Sequence, residues 1–152
     1  MNSQNIMAQL NKMLATVELS YMTIARSYNL TYNGLMLLYM VAYQENVTQK
    51  QVGEALFIPK TSVHSVLIKL VNKGYLVLEK GSNNKEKYIV PTEEGKVLIQ
   101  KIKIETEAIE SSVINSISET EILKFVETSN KLANKLYETT ELTYKKDGID
   151  DF

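Results

Sequence analysis

Residues 59 to 73 read PKTSVHSVLIKLVNK. They hold side chains suited to meeting a polyanion. At 100° per residue, Val63, Val66, Leu67, Leu70 and Val71 gather on one side of a helix and form core. Thr61, Ser62, His64, Ser65, Lys69 and Asn72 fall on the other side, with no acid among them. Small side chains let a helix lie deep in a major groove about 12 Å wide, and hydroxyls can bond base edges or phosphates. Lys60 adds charge at the helix start, where backbone N–H groups attract anions. His64 has two readings, a member of this polar face or a structural or solvated imidazole.

A second basic group follows. Lys80, Lys85 and Lys87 surround a polar stretch, Gly81, Ser82, Asn83 and Asn84. From Ile58 to Ile89 six lysines face only Glu79 and Glu86. A basic hairpin beside a groove-reading helix can lie along a phosphate backbone or enter the adjacent minor groove. Each feature alone has a plainer reading, a solvated helix face and a solubility device. Their order along the chain is more specific than either part.

The elements that must position these groups are legible from periodicity. Ile6, Leu10, Met13, Leu14, Val17, Tyr21, Ile24, Ala25 and Tyr28 repeat at spacings of three and four, predicting a long first helix. A break follows at Asn29-Leu30, and Thr31 can cap a second helix running to about Gln44. Leu35, Leu38, Tyr39 and Ala42 point inward on it. Met36, Leu37, Met40 and Val41 make it apolar almost all round, so it is expected to be central. Thr48 with Gln51 has the form of a capping box. It opens a short helix with Val52, Ala55 and Leu56 inward. Pro59 suits the first turn of the next helix, and Lys73-Gly74 its end. Tyr75–Leu78 and Tyr88–Val90 read as the strands of a hairpin. Thr92 with Glu93 and Glu94 opens a long helix through Val97, Leu98, Ile102, Ile109, Val113 and Ile117, with fraying expected near Glu105 to Glu107. Ser118 with Glu121 is a second capping box. It starts a last helix through Ile122, Phe125, Val126, Leu132, Leu136 and about Leu142. Residues 145–152 read as a disordered tail.

Composition narrows the function classes. The chain has 152 residues, no cysteine, one histidine, two prolines and a formal net charge of -1. Thiolate chemistry, disulfides and cysteine-based metal sites are excluded. One histidine leaves little for a catalytic triad or a histidine-rich metal site, and no metal and no cofactor are expected. Glu105, Glu107 and Glu110 look like a solvated face, without a partnered base, and an enzyme is not expected. No apolar run approaches the ~20 residues needed to span a bilayer. Met1 to Gln9 lacks a basic start followed by an apolar core. A cytoplasmic location without membrane attachment is the expectation.

Near-zero net charge argues against a nucleic-acid partner only while the chain is taken whole. Residues 1–47 are neutral. Residues 48–96 hold eight lysines against five glutamates, a net of +3. Residues 97–152 hold seven lysines against eleven acids, a net of -4. A basic segment is joined to an acidic one.

From about Leu30 to Ile99 the sequence resembles the multiple-antibiotic-resistance regulator (MarR) family of winged helix-turn-helix transcription factors. The stretches carrying the resemblance are LTYNGLMLLYMVAYQENVTQKQVGEALFIPKTSVHSVLIKLVNKGYLVLEK and, after the hairpin, KYIVPTEEGKVLI. Thr48, Gln49, Val52, Lys60, Thr61, Val63, Leu70, Lys73, Gly74, Tyr75, Thr92 and Gly95 stand at matching positions. The flanking helices match by length and pattern only. The resemblance implies a mainly α fold with a small β-hairpin. Residues 29–96 would form the winged helix-turn-helix lobe, and helices in 1–28 and 97–144 the dimerisation region. It implies a homodimer on a pseudo-palindromic operator in double-stranded DNA, acting as a repressor, with a small organic ligand, often an aromatic acid, as effector. Thr48 and Gln49 would meet the DNA backbone at the start of the first motif helix. The family pocket would fall near Tyr21, Met22, Arg26, Tyr39 and Tyr43, where a lone arginine among tyrosines could clamp a carboxylate. The plainer reading of those five is core and interface.

Two departures bear on mechanism. The family's hairpin commonly carries Asp-x-Arg, where this chain has Asn83 and Lys85. Asn cannot pair as a charge, and lysine lacks arginine's planar fork. Arg26, outside the motif, is the chain's one arginine. Bidentate arginine–guanine contacts are therefore unavailable to the motif, and affinity should rest on lysine–phosphate contacts. The rival reading is a winged-helix protein-interaction module without specific DNA binding.

Overall fold

The structure is a computed structural model, and it describes residues 3–81 and 86–144. The order is α1 (Ser3–Ser27), α2 (Tyr32–Tyr43), α3 (Gln49–Leu56), α4 (Lys60–Asn72), β1 (Leu76–Lys80), β2 (Lys87–Pro91), α5 (Glu93–Ile114) and α6 (Glu119–Tyr144). The expected mainly α fold with a small hairpin is what is found. Two compact units divide within α5, residues 1–103 and 104–152. The expectation for residues 145–152 lies outside the described residues, as do the expectations for Ser82, Asn83, Asn84 and Lys85.

The first unit is built around α2. Thr31 caps it, accepting a bond from Gly34 N at 3.1 Å. Leu35, Leu37, Leu38 and Val41 are all buried. Leu37 and Val41 lie deeper than Tyr39 and Ala42, as suits a helix that is apolar on every side. Val52, Val63, Leu67, Leu70, Leu76 and Ile89 close the core around it.

The α3 capping box forms as the sequence predicts. Thr48 Oγ1 accepts from Gln51 N at 3.3 Å, and Gln51 Oε1 accepts from Thr48 N at 2.8 Å. One inward residue differs. Val52 is fully buried and Leu56 half-buried, but Ala55 is exposed. The reason is Gly53, which turns inward instead. A β-carbon there would meet Ile58 O at 3.2 Å and a Val63 methyl at 3.5 Å. A side chain there would sit tightly against the turn, so the residue without one takes the inward position.

Pro59 is the N-cap of α4 and lies outside its first turn, with extended backbone at φ -57° and ψ 148°. Its carbonyl accepts from Ser62 N at 2.9 Å and Val63 N at 3.1 Å. The end of α4 is a Schellman motif. Gly74 takes φ 76°. Its N–H bonds Val71 O at 2.8 Å, and Tyr75 N bonds Leu70 O at 3.0 Å. Lys73 Nζ then reaches Asn29 O at 2.6 Å, tying this corner to the residue that ends α1 in the left-handed region.

Strands β1 and β2 pair antiparallel from Leu76↔Pro91 to Lys80↔Lys87. β1 starts one residue later than expected, because Tyr75 N is bonded to Leu70 O in the α4 terminus, and both strands run further than expected, because Glu79, Lys80, Lys87 and Pro91 continue the ladder. Ile89 N donates to Val47 O at 2.8 Å, and Thr48 bridges Tyr88. The hairpin is thereby fastened to the start of α3.

Helix α5 runs unbroken through Glu105 to Glu107, where fraying was expected, and stops at Ile114 before Ile117. Thr92 caps its start, accepting from Gly95 N at 2.9 Å. In the second unit Ser118 accepts from Glu121 N at 3.4 Å and contacts the Glu121 carboxylate. No residue of α6 is buried within the chain. Much of the apolar stripe of α1 is also uncovered, with Leu14 at 55% and Val17 at 50% exposure.

Candidate nucleic-acid interface

Helix α4 presents two chemically distinct faces. Val63, Leu67 and Leu70 are buried on one side. Lys60, Thr61, His64, Ser65, Lys69 and Asn72 are exposed on the other, with Ser62 half-buried at its margin. The separation predicted from the 3.6-residue period is therefore present. The Ser65 hydroxyl donates to Thr61 O at 3.0 Å. Its lone pairs remain outward, so it meets a partner as an acceptor, whereas a phosphate would need a donor. Pro59 supplies no capping side chain. With Ser62 N and Val63 N bonded to the Pro59 carbonyl, the amides of Lys60 and Thr61 are those left without an intrahelical acceptor at the positive end of the helix. No acid lies in the first turn of α3 or α4.

The hairpin brings a second pair of cations together. Lys80 and Lys87 stand directly opposite at the end of the ladder nearest residues 82–85. Like charges at facing positions repel, and among the described residues no ion pair relieves either lysine. An anion lying across both would. Gly81 N bonds Glu86 O at 2.9 Å just beyond this pair.

Thr48 and Gln49 stand at the N-terminus of α3, both half-buried. The Thr48 hydroxyl donates to Gln51 Oε1 at 3.0 Å as part of the cap. Its proton is committed inside the protein, so an anion at this end would meet the backbone amides first.

Of the five residues marked for a small ligand, two are in direct ring contact. Tyr39 and Tyr43 stack, with ring centroids 6.3 Å apart and planes 9° from parallel. A small apolar recess holds Tyr39 with Leu38, Ala42, Ile99, Ile102 and Lys103. The cation at this aromatic pair is Lys103, whose Nζ lies 4.7 Å from the Tyr43 ring centre. Arg26 is exposed, while Tyr21 and Met22 are half-buried. Sequence reasoning missed Lys103 because a lysine on a long helix carries no signal of what it will cover.

Two further residues escaped it. Ile68 is 37% exposed on the outer face of α4. It follows Ser65 by three residues and His64 by four, so it belongs to the same ridge. Phe57 is 91% exposed in the turn between α3 and α4. Neither residue was assigned from sequence: Ile68 lies outside the five core positions of α4 without being polar, and only the turn conformation exposes Phe57.

Among the described residues, no group of three or more histidines and carboxylates is placed to hold a metal. No helix among them is long and apolar enough to cross a membrane.

Comparison with known proteins agrees with this geometry. Residues 28–85 match a family model described as MarR family. No curated protein sequence matches the chain. Solved structures do. A MarR family regulator from Neisseria meningitidis superposes with a TM-score of 0.78 at 20% identity, covering 94% of this chain and 99% of that one. Staphylococcus aureus MepR, solved with DNA, gives 0.76 at 19% identity, covering 89% and 99%. Staphylococcus aureus MarR, solved with salicylate and kanamycin, gives 0.75 at 16% identity, covering 90% and 93%. Residues 28–85 are thus a MarR-family segment, and the fold of the chain is the winged-helix fold of the MarR regulators.

Proposed function

We propose that this chain is a DNA-binding transcriptional regulator that reads a pseudo-palindromic operator as a homodimer. The observation carrying the reading is the exposed face of α4. It holds hydroxyls, an imidazole and lysines with no acid, and it is followed in the chain by the facing Lys80 and Lys87. Helix α4 enters the major groove, with Lys60, Thr61, Ser62, His64, Ser65 and Lys69 toward bases and phosphates. Lys80 and Lys87, with Ser82, Asn83, Asn84 and Lys85, follow the adjoining backbone. Thr48 and Gln49 meet a phosphate at the start of α3. MepR bound to DNA supports this placement by analogy of fold.

Dimerisation is supported by what one chain leaves uncovered. Leu14, Val17 and Leu19 on α1, and Leu123, Phe125, Val126, Leu136 and Leu142 on α6, are each between 48% and 70% exposed. A lone chain seldom exposes so many large apolar side chains, and two-fold pairing would cover them. Helices in residues 1–28 and 97–144 would form that region. Two copies of α4 would then address half-sites about one duplex turn apart.

The regulator acts as a repressor that a small organic acid releases. Tyr21, Met22, Arg26, Tyr39 and Tyr43 form the effector region, and Arg26 holds the carboxylate. Salicylate bound to the Staphylococcus aureus homologue is the precedent for such a ligand. Arg26→Ala is expected to abolish release of duplex by salicylate and related benzoates while thermal stability is unchanged. Release that persists in the variant removes Arg26 from the role.

Affinity here rests on lysines, so it must fall steeply with salt. The slope of log K against log salt counts the phosphates neutralised. Lys60→Ala and Lys69→Ala should each reduce its magnitude by about one for every copy in contact. Fluorescence anisotropy across a salt series measures it. Unchanged slopes in both variants would place these lysines away from the backbone.

A further inference from the structure

Phe57 combines two features that a folded chain normally avoids. It is the C-cap of α3 with φ 51° and ψ 42°, in the left-handed region. There a β-carbon crowds the following carbonyl, and helix ends of this kind favour Gly or Asn. The ring is also 91% exposed. It buries almost nothing that could offset the backbone cost. The bonds that close the turn are main-chain only. Phe57 N and Ile58 N both donate to Gly53 O, the latter at 3.1 Å. Glycine could make them equally well. Among the described residues nothing covers the ring.

The position says what would use it. Residues 57–59 are the whole link between α3 and α4. They deliver the N-terminus of α4, with the open amides of Lys60 and Thr61 and the Lys60 charge. Nearby Glu54 is already engaged with Lys50 at 3.7 Å. The surface around the ring is therefore neutral to basic, complementary to a polyanion. A duplex is a polyanion that also offers apolar contact, through deoxyribose carbons and thymine methyl groups.

We infer that Phe57 is an uncharged contact to DNA, its ring packing on sugar or thymine-methyl surface beside the entry of α4 into the groove. The inference rests on the DNA-binding reading above. It makes stability and function move in opposite directions. Phe57→Gly and Phe57→Asn both suit the left-handed turn, so each should raise Tm by about 2–4 °C. Both should weaken duplex binding about tenfold, the scale of losing one aromatic contact at an interface. The salt slope should not change, because the ring neutralises no phosphate. Phe57→Tyr keeps the ring and should bind within about twofold of the parent.

The test uses the full chain and a duplex of about 30 base pairs, recovered from a random pool with the parent protein. Affinity is measured across a salt series, beside thermal melts and sedimentation. Higher Tm, weaker binding and an unchanged slope in the Gly and Asn variants, with binding retained in Tyr, support the contact. Parent-like affinity in Gly and Asn overturns it, and a changed association state alongside would assign the ring to a second copy instead. A reduced slope also overturns it, since the loss would then be of phosphate contacts. A parent chain that binds no duplex overturns the DNA-binding reading, and this inference with it.

Discussion

Ser65→Glu is expected to weaken duplex binding at least about a hundredfold while the fold stays as stable as before. Ser65 is exposed at the middle of the outer ridge of α4, between the turns that carry Thr61 and Lys69. A carboxylate there would point into the phosphate-lined groove that α4 is proposed to occupy. Like-charge contacts at an interface cost several kcal/mol, and a hundredfold loss needs about 2.7 kcal/mol. In a dimer the charge is introduced twice. The folded state has little reason to object. The substitution removes one exposed side-chain bond to Thr61 O, and Glu is the better helix former by a few tenths of a kcal/mol. Tm should stay within about 2 °C of the parent. Anisotropy and thermal melts on the same preparation decide it. Parent-like affinity would mean that this face of α4 does not meet the duplex.

The second large effect is on stability. Gly95→Ala is expected to cost about 3–5 kcal/mol, the range reserved for severe steric defects. A β-carbon at Gly95 would lie 1.9 Å from Tyr75 O and 2.9 Å from Tyr75 C. Both atoms are backbone, so no rotamer change relieves the clash. The same carbonyl accepts from Thr92 N at 3.0 Å, while the Thr92 hydroxyl donates to Gly74 O at 2.6 Å. One methyl group thus forces α5 off the junction that joins α4 to β1. The predicted fall in Tm is roughly 10 °C or more. Gly53→Ala is the internal comparison. Its β-carbon would meet neighbours at 3.2 and 3.5 Å, and gained helix propensity offsets the crowding to within about 1 kcal/mol. Denaturant unfolding followed by circular dichroism separates the two. Equal stability for Gly95→Ala and the parent would contradict the close approach.

The contrast between these glycines marks where sequence reasoning reaches and where it stops. Gly95 could be matched to a family position, but its reason, a carbonyl crossing over its α-carbon, is a long-range contact with no local trace. Capping is local, so Thr31, the Thr48–Gln51 box and the Gly74 terminus were all legible. The two faces of α4 were legible because a helix of thirteen residues spans several turns of its period. Helix α3 has eight residues. Its phase was decided by the approach of Val63 to Gly53, and Ala55 was misassigned. The charges at Glu105 to Glu107 suggested fraying, yet hydrogen bonding along α5 carries through them. The stripes of α1 and α6 were read correctly as apolar, but periodicity says only that a stripe needs a cover. In the candidate site, the polar side chains of α4 lie on its exposed face, with Ser62 at the margin. Phe57 and Ile68 were not assigned to that site, because an apolar residue gives no polar signal and only a turn angle or a helix phase places it outside.

The central claim is that paired copies of α4 read duplex DNA. Selection of bound duplexes from a random pool, at a fixed moderate salt, tests it most directly. The account predicts enrichment of a pseudo-palindrome whose half-sites lie about 10 base pairs apart, centre to centre, and no enrichment by the Ser65→Glu chain. A bound pool indistinguishable from the starting pool would contradict it.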